Sequence, residues 1–393
     1  MKKASRARSR ASAAKLSSKS IPPSRIDRKT RRAKASPRLG RLGVREEPSD
    51  PLRIVALGGG TGLSTLLKGL KRFTAEEVSP VNSFGPSLDL AAIVTVSDDG
   101  GSSGRLRKDF DILAPGDIRN CLVALAEDEA LLSQLFQYRF LNGRGLQGHS
   151  FGNLFLTALT HVTGDFHQAI QLSSEVLAIR GRIYPSTLTN VRLEARLQGG
   201  RSVRGESRIS SSSNPIKKIL LNPRHCRPLP ETLAAISEAD LITLGPGSLY
   251  TSIIPNLLVD GIAEAIASSP ALKVYIANLM WQPGETVGYT ASDHLLAIHE
   301  HAGRHLVDCV IANSHKVPAR LRKLYGLRDA QPVEIDQKEL KAMGVQLLTM
   351  DLLAPGPKVR HNADHLANLL AGLAREARVR KMVARRRRRG TVP

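Results

Sequence analysis

Four glycines and a threonine stand in five residues at Gly58-Gly59-Gly60-Thr61-Gly62, between an apolar run and a helical repeat. Ile54–Leu57 reads as a short buried strand, and Leu63, Leu66, Leu67 and Leu70 recur at helical spacing. Strand, glycine loop and helix in that order aim bare backbone N–H groups and a positive helix end at whatever lies over the loop. A phosphate is the natural occupant, and a nucleotide its natural carrier. The segment is not a P-loop, because Leu63 and Ser64 follow the last glycine and the first lysine is Lys68. It is not the dinucleotide fingerprint either, because Leu63 stands where the third glycine belongs. A tight turn packing a helix on a strand is the plainer alternative. On the phosphate reading, Gly60→Val is expected to abolish binding and leave the core folded.

Strands and helices then alternate. Leu90–Val96 is a second apolar strand, followed by a flexible polar loop, Ser97–Gly104. Helices are predicted from Pro115 to about Ala126, then over Leu131–Leu141, Phe151–Val162 and Phe166–Leu177. Residues 181–222 change character. Val191, Leu193, Ala195 and Leu197 alternate with charged or polar residues, Val203–Ile209 reads as a hairpin partner, and Ile216–Leu221 as a further strand. This is a β-rich insertion. Strands at Leu241–Leu244, Lys273–Ala277 and Val307–Ala312 alternate with helices at Leu249–Ile266, Ala291–His301 and Pro318–Tyr325, and Pro332–Ile335 closes the series. The pattern predicts a Rossmann-like, doubly wound α/β fold with a mostly parallel sheet. Ligands in such sheets bind beyond the carboxyl ends of the strands. Gly58–Gly62, Ser97–Gly104, Gly245–Ser248, Asn278 and Asn313 all fall there, which points to a long cleft.

Several residues in that cleft can carry chemistry. Asp98 and Asp99 sit in an open glycine-bearing loop, where a carboxylate can bind Mg²⁺ or a ribose hydroxyl, or polarise a hydroxyl. Asp-Gly is also plain turn chemistry. Asp117, Arg119 and Asn120 begin a helix, and Arg119 can take a phosphate bidentately or pair with Asp117. His149, Ser150 and Asn153 lie in a third glycine-rich loop. The adjacent His and Ser form no catalytic dyad, and Asn153 reads as a hydrogen-bonding group. Gly245, Pro246, Gly247 and Ser248 form a second candidate anion loop, or a turn with Ser248 as a helix cap. Tyr289 follows Gly288 and can stack on a base or pack in the core.

The charge is concentrated at the ends. Residues 1–50 hold 16 Lys and Arg against 4 acids, and residues 371–393 hold 9 against 1, so most of the net +22 lies outside a nearly neutral body. Residues 1–50 carry too little apolar surface to offset ordering entropy and are expected to be disordered. Arg385–Arg389 is expected to make non-specific contacts with polyanions, whether nucleic acid, polyphosphate or an anionic membrane. Cys121, Cys226 and Cys309 are far apart, with no metal-ligand spacing, which suggests a reduced, cytoplasmic protein. No apolar run is long enough to span a membrane.

The segments GGGTGLSTLLKGLK, TVSDDGGSSGRLR, PGDIRNCLVALA, GHSFGNL, GPGSLYTSIIPNLLV and QPGETVGYTASDH resemble the gluconeogenesis factor family of the 2-phospho-L-lactate transferase-like (CofD-like) group. The resemblance covers Arg53 to Ile335. It implies a CofD-like domain over 51–370 with a nucleotide over the first glycine loop. The transferase branch moves phospholactate from a guanosine diphosphate-linked donor to a deazaflavin with Mg²⁺. The gluconeogenesis-factor branch, which this chain resembles more, implies a UDP-sugar-binding regulator of cell shape and envelope synthesis. Gly58–Gly62, Asp98, Asp99, Asn153, Gly245–Ser248 and Tyr289 carry over as ligand-site candidates, with Asp98 and Asp99 as candidate metal ligands. A cell-envelope regulatory protein and a second copy of the chain are the expected partners.

Overall fold

The computed structural model describes residues 50–74, 87–127 and 130–389, with side chains through Val383 except at Ala130. The expected N-terminal tail, apart from Asp50, lies outside the described residues.

Among the described residues ten strands form two sheets. They are β1 (Leu52–Gly58), β2 (Leu88–Val94), β3 (Arg182–Pro185), β4 (Arg192–Leu197), β5 (Ser202–Arg204), β6 (Ile216–Asn222), β7 (Leu241–Leu244), β8 (Leu272–Ile276), β9 (Cys309–Asn313) and β10 (Gln346–Met350). The main sheet has the order β10-β9-β8-β7-β1-β2-β3, and every pairing in it is parallel. Its central strands are covered on both faces, so β1 and β7 are almost continuously apolar and buried. The smaller sheet, β5-β4-β6, is antiparallel. There β4 alternates, with Leu193, Ala195 and Leu197 inward and charged residues between them.

Helices flank the main sheet. The Gly60–Leu70 helix leaves the end of β1 and packs against the Gly116–Leu125 helix and a long C-terminal helix, Ala363–Arg389. Gly69 marks that last crossing, because a Cβ there would lie 2.3 Å from the Ala363 carbonyl oxygen. Thr290 and Asp293 form a reciprocal capping box on the Ala291–Ala302 helix, which stops at left-handed Gly303.

Five expectations change. Arg182–Pro185, assigned to the insertion, is the edge strand beside β2 in the main sheet, so the inserted sheet begins at Arg192. The second half of Val203–Ile209 turns into a short helix, Glu206–Ile209, after left-handed Gly205. Leu249–Ile266 is not one helix. It runs as a π-turn at Leu249–Ile253 and a short helix at Ile254–Leu257, then restarts at Ile262 after left-handed Gly261. Pro332–Ile335 makes only isolated bridges to Met280 and Thr290, and the last strand is β10, a half-exposed edge whose polar residues hide its period. The boundary expected at 370 falls inside a continuous helix, because Leu370, Ala371 and Ala374 are buried and Arg378 is anchored to the sheet. Among the described residues no single helix is long and apolar enough to cross a membrane.

Candidate functional site

Strand order reverses direction around β1: β2 follows it on one side, and β7, after the insertion, on the other. The crevice between the ends of β1 and β7 is therefore the topological switch point, the place where doubly wound sheets bind ligands. The two glycine loops meet there. The Thr95 amide and Asn256 Nδ2 both bond the Gly58 carbonyl, which fixes where the first loop leaves the sheet. Gly60 adopts left-handed φ of 61°. At Gly62 the reason is approach rather than φ, since a Cβ would lie 2.3 Å from the Pro246 carbonyl oxygen. Gly59, the N-cap of the Gly60–Leu70 helix, offers no side-chain cap, so the first-turn N–H groups depend largely on partners outside the helix.

A cavity of about 460 Å³ opens over this loop. Gly59–Gly62 form one wall, Pro246–Ser248 and Ser252 the next, and Asn278 and Trp281 a third. Lys358 and Arg360 close it from the segment before the C-terminal helix. Among the described residues no carboxylate lines it. Among the described residues neither Lys358 nor Arg360 forms an ion pair. Tyr325 accepts the Val359 amide through its hydroxyl at 3.1 Å and so fixes the basic segment. His361 adds no charge at neutral pH, because burial pushes it down to about 4 despite the opposing pull of its Nε2 bond to the Ala277 carbonyl.

Ser248 does not cap a helix with its side chain. Its hydroxyl accepts Gln282 Nε2 at 2.6 Å, and the Gln282 carbonyl oxygen accepts from Asn278 and the Leu249 amide. Gln282 thereby ties the second glycine loop to the segment after β8. Tyr289 does not line the cavity. Its hydroxyl pairs with Tyr250 at 2.7 Å, and its carbonyl accepts Trp281 Nε1–H at 2.9 Å, so it backs the aromatic that does. Asn313 also stays outside; it orders its own loop through His315 and the Leu352 amide.

The other motif residues gather on the β2 side of the loop. Residues 97–100 are irregular as expected, but Gly101–Phe110 is a helix. Asp98 and Asp99 diverge. Asp98 accepts the Gly100 amide and faces Gly116, whereas Asp99 Oδ1 accepts both the amide and hydroxyl of Ser207 in the insertion, each at 2.9 Å. Asp99 is thus engaged in holding the insertion. Asp117 lies against Gly59 and accepts the Gly60 amide, and burial and the nearby Asp98 push its carboxyl up to about 7. Glu206, carried in by the insertion, is pushed up to about 9 by burial and by Asp98, Asp117, Glu285 and Asp99. Among the described residues no group of three or more His, Cys, Asp or Glu is arranged to hold a metal ion. Asp98 and Asp117 are the two carboxylates that neighbour each other at the loop, a better match to a Mg²⁺ completed by phosphate oxygens than Asp98 with Asp99.

The His149–Asn153 loop is a buried bracket rather than a cavity wall. Ser150 caps the Phe151–Thr163 helix and accepts from Arg119, which also donates to Asn120. His149 Nδ1 and Asn153 Nδ2 converge on the Ser102 hydroxyl at 2.9 and 3.1 Å. Trp281, Lys358 and Arg360 were missed from the sequence. The tryptophan had a readable signal, being the sole one in the chain and five residues past a strand. The two cations had none, since they lie in a segment without periodicity.

Fold and cleft define a doubly wound α/β protein with a paired glycine-loop crevice at its switch point. Residues 54–353 match the 2-phospho-L-lactate transferase CofD family, and the chain belongs to that family. It is 47% identical over 325 residues to the gluconeogenesis factor of Bacillus subtilis, covering 82% of this chain and 98% of that protein. It is 49% identical over 318 residues to the gluconeogenesis factor of Halalkalibacterium halodurans, covering 81% and 95%. The crystal structure of a Bacillus halodurans protein of the UPF0052 family aligns with a TM-score of 0.77 at 47% identity, covering 82% of this chain and 99% of that one.

Proposed function

We propose that this protein binds a nucleoside diphosphate sugar, with UDP-N-acetylglucosamine the first candidate, and acts as a regulator of envelope synthesis and cell shape during gluconeogenic growth. The supporting observation is the cavity at the switch point, where a helix start without a side-chain N-cap lies across from two cations that form no ion pair among the described residues, beside Trp281 and Tyr325. A diphosphate suits the space between Gly60–Gly62 and Lys358/Arg360, with the guanidinium able to chelate it. Trp281 offers a face for a base. The cavity volume suits a ligand of that size. The names of the relatives support the growth condition. An envelope regulatory protein is the proposed partner, and the basic termini add non-specific polyanion contact.

A 2-phospho-L-lactate transferase-like reaction on a nucleoside diphosphate-linked donor is the second reading. The carboxyl pair at the first loop favours it: Asp117 neighbours Asp98 and ionises near neutrality, so a divalent cation would meet both carboxylates by displacing that proton. In that reading Asp98 and Asp117 would hold Mg²⁺, which would screen the charge of the diphosphate.

Titration calorimetry with UDP-N-acetylglucosamine and Mg²⁺ tests both. Heat saturating at one equivalent is expected, and Arg360→Ala should weaken binding about tenfold or more, the loss of one charge-assisted contact. Sustained heat after saturation would mean turnover and favour the transferase. No heat would overturn this ligand and make a guanosine diphosphate-linked donor the next to try.

A further inference from the structure

We propose that a second cavity, on the outer side of the Gly60–Leu70 helix, is a separate binding site for a small phosphorylated polyol such as a hexose phosphate. This goes beyond the nucleotide reading and does not depend on it. The cavity measures about 500 Å³ and lies between that helix and the Gly116–Leu125 and Ala130–Gln137 helices. Among the described residues no acidic side chain lines it. Lys68, which is exposed and has no ion pair among the described residues, faces it together with Arg360. Lys71 also lines it and donates to the Ala126 carbonyl. Three cations with no carboxylate among the described lining residues favour an anion as the complement.

The rest of the lining determines what kind of anion. Val123, Ala124 and Ala126 make a small apolar floor. Ser64, Ser133, Asn120 and Gln137 add hydroxyl and amide groups. The Asn120 carbonyl oxygen is taken by Arg119, which leaves its amide N–H₂ to donate into the cavity. A ring with an apolar face, several hydroxyls and one phosphate uses all three kinds of surface. A bare inorganic anion would use only the cations, and an apolar ligand only the floor.

The two cavities share Thr61, Thr65 and Arg360. One guanidinium cannot serve two anions fully, so occupancy of either site lowers affinity at the other, reciprocally.

The test titrates the full chain with glucose 6-phosphate and, separately, with inorganic phosphate, by calorimetry. Glucose 6-phosphate should bind saturably and more tightly than phosphate. Lys68→Glu should weaken it at least tenfold, and Ser133→Phe, which fills the cavity, should do the same. Both variants should keep the wild-type affinity for UDP-N-acetylglucosamine, and saturating UDP-N-acetylglucosamine should weaken the sugar phosphate a few-fold without abolishing it. Lys68→Gln replaces Lys68→Glu if thermal melts show that the reversal unfolds the chain. The proposal is overturned if neither probe binds saturably, if binding survives both substitutions, or if the nucleotide sugar excludes the sugar phosphate completely. Failure of UDP-N-acetylglucosamine alone to bind would overturn that ligand for the first cavity and leave the sugar-phosphate titration as its own result.

Discussion

At the scale of single residues, Gly60 and Asp117 explain what the first loop tolerates. Gly60→Val tests more than the phosphate. With φ at 61°, a β-branched residue is strained there whatever occupies the cleft, so loss of binding would not isolate the ligand. Arg360→Ala asks the same question without touching the backbone. Asp117 carries a pH signature. Its folded pKa of about 7 lies above the ordinary 3.8, so the folded chain keeps the proton longer than the unfolded one. The stability this confers is complete below about pH 4 and is lost as pH rises through 7, with Glu206 acting in the same sense up to about 9. Asp117→Asn should therefore be more stable than wild type at pH 8, by about 1 kcal/mol or more, and indistinguishable from it at pH 4. Urea denaturation at the two values checks this. The diphosphate of a nucleotide sugar does not titrate between pH 6 and 8. Binding over this loop should tighten as pH falls through 7, by no more than about tenfold per pH unit, and Asp117→Asn should flatten the dependence.

At the scale of elements, the site is a contact between two loops, and its weak point is their spacing. Gly62→Ala places a methyl carbon 2.3 Å from the Pro246 carbonyl oxygen, which backbone cannot yield without moving the loop. The variant should fold, melt a few degrees lower, and lose nucleotide-sugar affinity by more than tenfold; a melt and a titration check both. The C-terminal helix has a comparable fixed point. Arg378 donates to Asp240 and to the carbonyls of Asp50 and Pro51, and Asp240 also accepts the Arg53 amide at 3.0 Å. Removing the guanidinium leaves that largely buried carboxylate with only the Arg53 amide and the Lys381 ammonium at 3.8 Å, so Arg378→Ala should cost about 2 kcal/mol in chemical denaturation. Most elements were legible, because their apolar periods match their burial: β1, β7 and the Phe151–Thr163 helix fall where the pattern put them. The failures have local causes. Left-handed glycines at 205 and 261 broke elements that hydropathy ran together, and β10 is an edge strand with half its side chains in solvent.

At the scale of the whole molecule, truncation separates tail from domain only if the cut respects the helix. Ending the chain at 370 would remove buried Ala371 and Ala374 along with Arg378, and should lower the melting temperature sharply. Ending it after Val383 removes residues 384–393, whose only charged side chains are Arg385–Arg389. That variant should melt like wild type, keep nucleotide-sugar affinity, and lose salt-sensitive retention on heparin. The sequence by itself determined the alternation of strands and helices, the parallel sheet, and the strand, glycine loop and helix order around Gly58–Gly62, since each is written in spacing a few residues long. It also brought Asp98, Asp99, Asn153 and Tyr289 forward as a set. Only the tertiary structure decided that Asp99 holds the insertion, that Asn153 bonds Ser102, that Tyr289 stands behind Trp281, and that Lys358 and Arg360 face a loop some 300 residues earlier. Strand order and the insertion set those neighbours, and a one-dimensional period holds no record of which distant segments a crossover brings together.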